Sequence, residues 1–446
     1  MGQMRGISGC PGDGRWGMDF FAKYCYRCAE DKDFICTFAC GMFMTRDDMR
    51  RIILYLLLYI ALVPTGLMAQ TDTLSWAGRV QARLDSLTRL PMFETSQVGL
   101  YVYDLTAATD LYRLNHRQRM RPASCEKVVT AIAALHHLGG RYELKTSMLL
   151  SGEVRDRVLW GDVCIVGSMD PLLSQGDVAQ MARLLQESGV DSVAGVVRLD
   201  LTMKTQDLLG WGWCWDDDVV PLTPLTVDRH DRFVQEFMNS LQAAGVRGVT
   251  VDRFVQSTAP QNARPLCEAR HSIEQVLERM MKRSDNFFAE CLFYQLGRLS
   301  GKRYAGRREC ASFVDVLIRH LGMDPSNYQI ADGSGLSLYN YVSPELLVRL
   351  LCYAWQNEQI RQCLLPSLPI AGVDGTLEKR MRRTPAEGRV MAKTGTVDGI
   401  SSLSGYAYSP EGHVLVFSII NQGVQKASQG RNWQDKVCAA LCDEGG

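Results

Sequence analysis

Apolar residues return every three or four positions across residues 76–90, with Val80, Leu84 and Leu87 on one side, and this spacing predicts an amphipathic helix. The character then changes: residues 98–104 and 110–115 read as two strands joined by a short polar turn. Next comes Arg121-Pro122-Ala123-Ser124-Cys125-Glu126-Lys127, which leads into an alanine-rich apolar run over 128–135. Pro122 and Ser124 mark the entry to a helix and the run forms its body. Between about 143 and 264 the pattern is one of short strands and turns. Residues 147–152 and 161–167 bracket a hairpin-like unit, 177–187 reads as a helix and 193–201 as another strand, while 210–218 is a turn dense in tryptophan and acid. Helical periodicity then returns over 272–296, 309–321 and 343–355, with the glycine-rich turn 331–337 between the last two. After Asp374-Gly375-Thr376-Leu377 and Val390-Met391-Ala392-Lys393-Thr394-Gly395-Thr396 come strands through 405–408 and 413–420, and a last helix over 432–442. Residues 75–142 and 265–446 are therefore expected to form one domain, interrupted by an inserted, mostly β subdomain over 143–264.

The start of the chain has its own pattern. Arg50-Arg51 precedes an apolar run over 52–69 that ends in small residues, as in a secretory signal peptide over 49–70, with Met49 as the start and cleavage near Ala69 or Gln70. This predicts a periplasmic or secreted protein. An uncleaved run, near the lower length limit for a span, would instead leave the protein peripherally associated with the membrane. An export signal has to lead the chain, so residues 1–48 read as a non-native upstream extension. Cys25, Cys28, Cys36 and Cys40 lie there with a superficially zinc-like spacing, but the intervening segment is shorter than zinc-ribbon spacings, and no metal site is expected.

Composition narrows the function classes. The 446 residues are 46% hydrophobic and 22% charged, enough apolar matter for an ordinary core. The 49 basic residues balance the 49 acidic ones, which removes any argument for nucleic-acid binding from bulk charge. Seven histidines show no His-Glu-x-x-His pattern, so a metalloprotease is disfavoured. The turn at 331–337 has no lysine after its glycines and is not a phosphate loop. No cofactor is implied. The ten cysteines from Cys125 onward are dispersed, and their pairing is not legible from spacing.

Candidate chemistry begins at Ser124-x-x-Lys127. Residues three apart share a helical face, so the hydroxyl and amine would meet at the helix start, as a serine nucleophile and a lysine base do. The helix terminus adds free N–H groups and partial positive charge where an oxyanion would form. Alone, the pattern is also what an N-cap serine and an exposed lysine produce. Ser284-Asp285-Asn286 and Lys393-Thr394-Gly395 follow it in order, and the joint set is far more specific than any member.

That set resembles the active-site serine penicillin-recognising enzymes. Pro122-Ala123-Ser124, Gly161-Asp162, Asp170-Pro171, the turn from Trp213 to Asp217, Asp332-Gly333-Ser334-Gly335-Leu336-Ser337, Asp374-Gly375-Thr376-Leu377 and Ser402-Leu403-Ser404-Gly405-Tyr406 narrow the likeness to the low-molecular-mass class C penicillin-binding proteins, which are D-alanyl-D-alanine carboxypeptidases and endopeptidases. The chain departs from the pattern in two places: Met169 stands where glycine is more usual, and the 160 residues from Ser124 to Ser284 are few for this family, which implies a trimmed insertion. The resemblance implies an α/β (α+β) fold of the serine β-lactamase and penicillin-binding-protein transpeptidase-like type, with an antiparallel sheet between helical layers. It implies peptidoglycan stem peptides as substrate and acylation by β-lactams. Ser124 would be the nucleophile, Lys127 the base, with its pKa lowered by burial and by the Lys393 cation, and Ser284 a proton relay. Asn286, Lys393, Thr394, Gly395 and Thr396 would bind substrate, Lys393 through its carboxylate and Gly395 by admitting it close to the strand. The backbone N–H groups of Ser124 and Thr396 would form the oxyanion hole. The rival readings are a β-lactamase, against which the long insertion speaks, and a catalytically silent peptidoglycan-binding protein, against which the three retained motifs speak.

Overall fold

The computed structural model describes Asp47, Arg50, Arg51, Ile53 and Leu54, and then residues 75–443 except 218. The chain divides into two units, 1–73 and 74–446. In the first, the five described residues are helical; the rest of the signal-peptide segment and the four upstream cysteines lie outside the described residues. No described helix is long and apolar enough to cross a membrane.

The second unit is built on two sheets. The first is antiparallel, and runs in the order β2 (Thr109–Leu114), β1 (Gln97–Asp104), β11 (Val414–Gln422), β10 (Ile400–Tyr408), β9 (Val390–Val397). Its central strands β10 and β11 are buried almost without alternation because both faces are covered. On β11, Leu415, Phe417 and Ile419 point into a core with α1 (Trp76–Thr88) and α10 (Ala427–Leu441), through Trp76, Val80, Leu84, Trp433 and Val437. Val416 and Ile420 point the other way, into the larger core formed by α2 (Glu126–Leu138), α5 (Ile273–Lys282), α6 (Asn286–Arg298), α7 (Arg307–His320), α8 (Pro344–Gln356) and α9 (Glu358–Ser367). Each large apolar side chain so enclosed contributes roughly 1.5–3 kcal/mol. Helix α2 runs through the middle of this layer: every residue from Glu126 to Leu135 is buried. That explains its alanines, since small side chains let neighbouring helices approach from several sides.

The second sheet runs β7 (Phe254–Gln256), β6 (Val197–Asp200), β4 (Val158–Val166), β3 (Glu143–Arg155), β8 (Arg264–Ser272), with β5 (Ser192–Val193) beside β4. Val178, Met181 and Leu185 of α3 (Gln175–Glu187) and Phe233, Phe237 and Leu241 of α4 (Phe233–Ala243) pack with it in a third core. The last strand carries this sheet past residue 264, and His271 at its end meets Asp170 across 2.6 Å. Met169 is in the left-handed region at φ 52°, the conformation that makes glycine the easier residue there.

The helix expected over 272–296 is in fact two. Ser272 opens α5 with a capping box, its hydroxyl accepting from Gln275 N, and α5 stops at Lys282. Ser284 turns to φ 57°, and Asp285 restarts the chain as N-cap of α6, accepting from Phe287 N at 3.1 Å. Continuous apolar periodicity hid the break, because the hydrophobic faces of α5 and α6 enter the same core.

Candidate active site

Three structural devices bring Ser124 to the surface over two buried lysines. The chain enters α2 through a 3₁₀ turn, Ala123–Cys125, with Ala123 at φ 46°. The turn is clamped from both sides. On one side Ser402 Oγ on β10 donates to Pro122 O at 2.5 Å and Cys125 Sγ donates to Lys393 O at 3.2 Å. On the other, Gly335 at φ 80° lies so close that a Cβ there would fall 1.9 Å from Ala123 O.

The amine of Lys127 is 3.0 Å from Ser124 Oγ, 2.7 Å from Asn286 Oδ1 and 2.7 Å from Ser334 O. Three acceptors match the three protons of an ammonium. When one proton is lost, two N–H groups can still serve Asn286 and Ser334, and the lone pair is left facing the serine hydroxyl. Burial lowers the pKa of Lys127 to about 8, while the charges of Asp332 and Glu290 act in the opposite sense. The carboxyls closest in sequence and space do not neutralise it fully: burial raises Glu290 to about 8 and Glu126 well above the carboxylate range. Neither carboxyl oxygen of Glu126 has a hydrogen-bond partner among the described residues.

Lys393 lies in β9, the edge strand, and is fully buried. Its amine donates to Ser284 Oγ at 2.8 Å and to Thr394 O at 2.6 Å. Burial first, and then the Lys127 charge, push it well below the lysine range. Burial is the first cause of the lowering at both lysines. Ser284 keeps its positive φ because Asp285 is anchored by Arg229 and by Arg279 Nε at 3.1 Å.

Gly395 packs closely against the protein's own nucleophile turn. A Cβ there would fall 2.1 Å from Ser402 Oγ, 2.7 Å from Pro122 O and 3.0 Å from Cys125 N. The absent side chain makes room for the protein's own nucleophile turn, so the edge strand can pack against it. The Thr394 hydroxyl donates to Thr376 Oγ1 at 2.8 Å, while Thr396 is exposed at the strand's outer end. All eight predicted residues, Ser124, Lys127, Ser284, Asn286, Lys393, Thr394, Gly395 and Thr396, are thereby brought to one region.

Sequence reasoning gave no role to two further groups. Ser334 binds Lys127 through its carbonyl, which no side-chain pattern reveals. Asp332 organises that turn: it accepts from Gly335 N, Ser337 N and Asn340 Nδ2 at 2.7 Å each, and from Trp213 Nε1 at 2.9 Å. Thr130 Oγ1 on α2 donates to Gly333 O at 2.7 Å and fixes the turn to the serine helix. The Asp332-Gly333-Ser334-Gly335 motif, which the family resemblance includes, was the available signal. Among the described residues no cluster of three or more His, Cys, Asp or Glu side chains could hold a metal ion, and the ten described cysteines are free thiols.

The chain is similar to known proteins. The chain is 29% identical over 468 aligned positions to the D-alanyl-D-alanine carboxypeptidase of Actinomadura sp. (strain R39), covering 82% of this chain and 86% of that protein. It is 25% identical over 418 positions to the D-alanyl-D-alanine carboxypeptidase DacB of Haemophilus influenzae, covering 75% and 86%. The crystal structure of penicillin binding protein 4 (dacB) from H. influenzae superimposes with a TM-score of 0.72 at 23% identity, over 79% of this chain and 97% of that one, which shows a shared fold. Residues 80–229 and 220–442 match the D-Ala-D-Ala carboxypeptidase 3 (S13) family, and the chain belongs to that family of serine peptidases.

Proposed function

We propose that the protein is an exported D-Ala-D-Ala carboxypeptidase or endopeptidase that cuts peptidoglycan stem peptides through an acyl-enzyme on Ser124, and that β-lactams acylate the same oxygen. The observation that carries this reading is the amine of Lys127 placed 3.0 Å from Ser124 Oγ, while Lys393 and Ser284 meet at 2.8 Å in the same site. Neutral Lys127 takes the hydroxyl proton as Ser124 Oγ attacks the carbonyl carbon between two D-alanines. The oxyanion forms against the backbone N–H groups of Ser124 and Thr396. The C–N bond then breaks, the leaving amine receives a proton through Ser284, and water releases the acyl group from Ser124. A β-lactam presents a strained amide in place of that bond, and when its C–N bond breaks the amine stays tethered to the acyl group.

In the free site burial holds both amines below the usual lysine range. A terminal carboxylate arriving at Lys393 supplies counter-charge and favours its ammonium form, which pairs with it. Asn286 orients both the amine and the substrate amide, and the exposed Thr396 adds a hydrogen bond to the carboxylate, which Thr394 can join by turning its hydroxyl away from Thr376.

In domain terms we infer a peptidase domain from 75–142 and 265–446 and an inserted subdomain over 143–264, with its sheet closed by residues 264–272. The likeness of 49–70 to a signal peptide supports export. Digestion of purified muropeptides followed by mass spectrometry tests the substrate and separates loss of terminal D-alanine from cross-link cleavage. Ser124→Ala should abolish labelling by a fluorescent penicillin while leaving thermal unfolding unchanged; labelling of that variant would exclude Ser124 as nucleophile. Stable labelling of the wild type distinguishes a penicillin-binding protein from a β-lactamase, which would turn the drug over.

A further inference from the structure

The tryptophan turn is not consumed by the catalytic geometry. Trp213 is committed to Asp332, but Trp211, two residues earlier, is 46% exposed and lies with its ring centroid 4.8 Å from that of Tyr339, itself 46% exposed. Tyr339 follows Leu338, whose carbonyl accepts from Arg121 Nε at 3.0 Å, three residues before the nucleophile. The aromatic pair is thereby tied through Leu338 to the segment that leads into the nucleophile turn. Beyond Trp211 opens a cavity of about 770 Å³ lined by Asp207, Leu208, Trp211, Tyr294, Arg307 and Arg308, a size suited to a small organic ligand. The Arg307 guanidinium lies 4.4 Å from the Trp211 ring centre, and its Nη1 donates to Ile330 O at 3.1 Å. The loop is held at its base by Lys204, buried, which donates to the carbonyls of Thr205 and Asp207.

We propose that Trp211, Tyr339 and Arg307 wall a subsite for a sugar ring of the glycan strand that carries the cleaved stem peptide. The inference rests on the peptidase reading above and names what lies next to the peptide in its substrate. A sugar ring has a face of C–H groups and an edge of hydroxyls and carbonyls. The first is matched by flat aromatic surface, the second by planar N–H donors and a carboxylate, here Arg307, Arg308 and Asp207. An apolar peptide side chain would be a poor occupant, because three charged groups rim the cavity and would lose hydration without gaining partners.

The test compares kcat/KM for D-alanine release from a disaccharide-pentapeptide and from the same pentapeptide without sugar. The wild type should favour the sugar-bearing substrate by about threefold to tenfold, the range of one aromatic contact. Trp211→Ala and Arg307→Gln should bring the ratio to near one, and Trp211→Phe should keep most of it. Free disaccharide should quench tryptophan fluorescence in the wild type and much less in Trp211→Phe. If Trp211→Ala does not fold, Arg307→Gln carries the comparison. A wild-type ratio of one, or a Trp211→Ala variant that slows both substrates equally, overturns the sugar subsite. In either case penicillin labelling and pentapeptide cleavage by the wild type would still stand, whereas their absence would sink the peptidase reading and the subsite with it.

Discussion

Acylation should depend on pH through Lys127, and the size of the effect follows from its burial. An exposed lysine near 10.4 is neutral in only about one molecule in 2,500 at pH 7. Lowered to about 8, Lys127 is neutral in roughly one in eleven. The buried site therefore raises the competent fraction by over two orders of magnitude, equivalent to about 3 kcal/mol at 1.36 kcal/mol per pH unit. The second-order rate constant for acylation by a fluorescent penicillin reports the free enzyme. Measured from pH 5.5 to 9.5, it should rise tenfold per unit below about pH 8 and level off above it. Lys127→Arg, which cannot lose its proton, should fall by several orders of magnitude across the range. A flat profile between pH 6 and 8, or an arginine variant with near wild-type rates, would refute the assignment of Lys127 as base.

Gly395→Ala should slow acylation by about a hundredfold or more, because the new methyl group displaces Ser402 and the Pro122 carbonyl and moves Ser124; unchanged acylation kinetics would show that the turn yields freely. Lys393→Ala should weaken acylation by ligands with a free carboxylate far more than it lowers the melting temperature, and equal rates for carboxylate and ester forms in the wild type would remove its role. The pKa of His271 is raised, first by its hydrogen bond to Asp170. Its stabilisation should be fully present below the unfolded value near 6.5 and be lost as pH rises through the higher folded value. Denaturant titrations of the wild type and His271→Ala should converge above that window, and a constant difference would contradict the linkage.

Motifs that carry their chemistry in side chains were legible before any coordinates. Ser124, Lys127, Ser284, Asn286 and Lys393 stand in three short motifs, and the structure brings their side chains within hydrogen-bond distance of one another. Helix α2 and strand β9 were legible because one is a run of small apolar residues and the other an alternation beside glycine. What stayed hidden depends on contacts distant in sequence. Residues 272–296 keep one helical period through a break that only the backbone of Ser284 reveals. Helix α9, Glu358–Ser367, carries Pro366 inside it and few apolar residues, so its periodicity is faint. The carbonyl of Ser334 has no signature at all, and Gly395 could be recognised as a close-approach residue without showing what approaches.

Strand β11 lies between β1 and β10, pairing Gln97 with Gln422 across 325 positions. The strand that closes the sheet thus follows both its partners in sequence, and until it docks β1 and β10 each present a bare edge. Folding dominated by such distant pairing is slow, in the millisecond-to-second range, and exposed to aggregation while it waits. A chain lacking β11 would still hold the nucleophile, its base and the opposing lysine, but β1 and β10 would no longer be joined in one sheet.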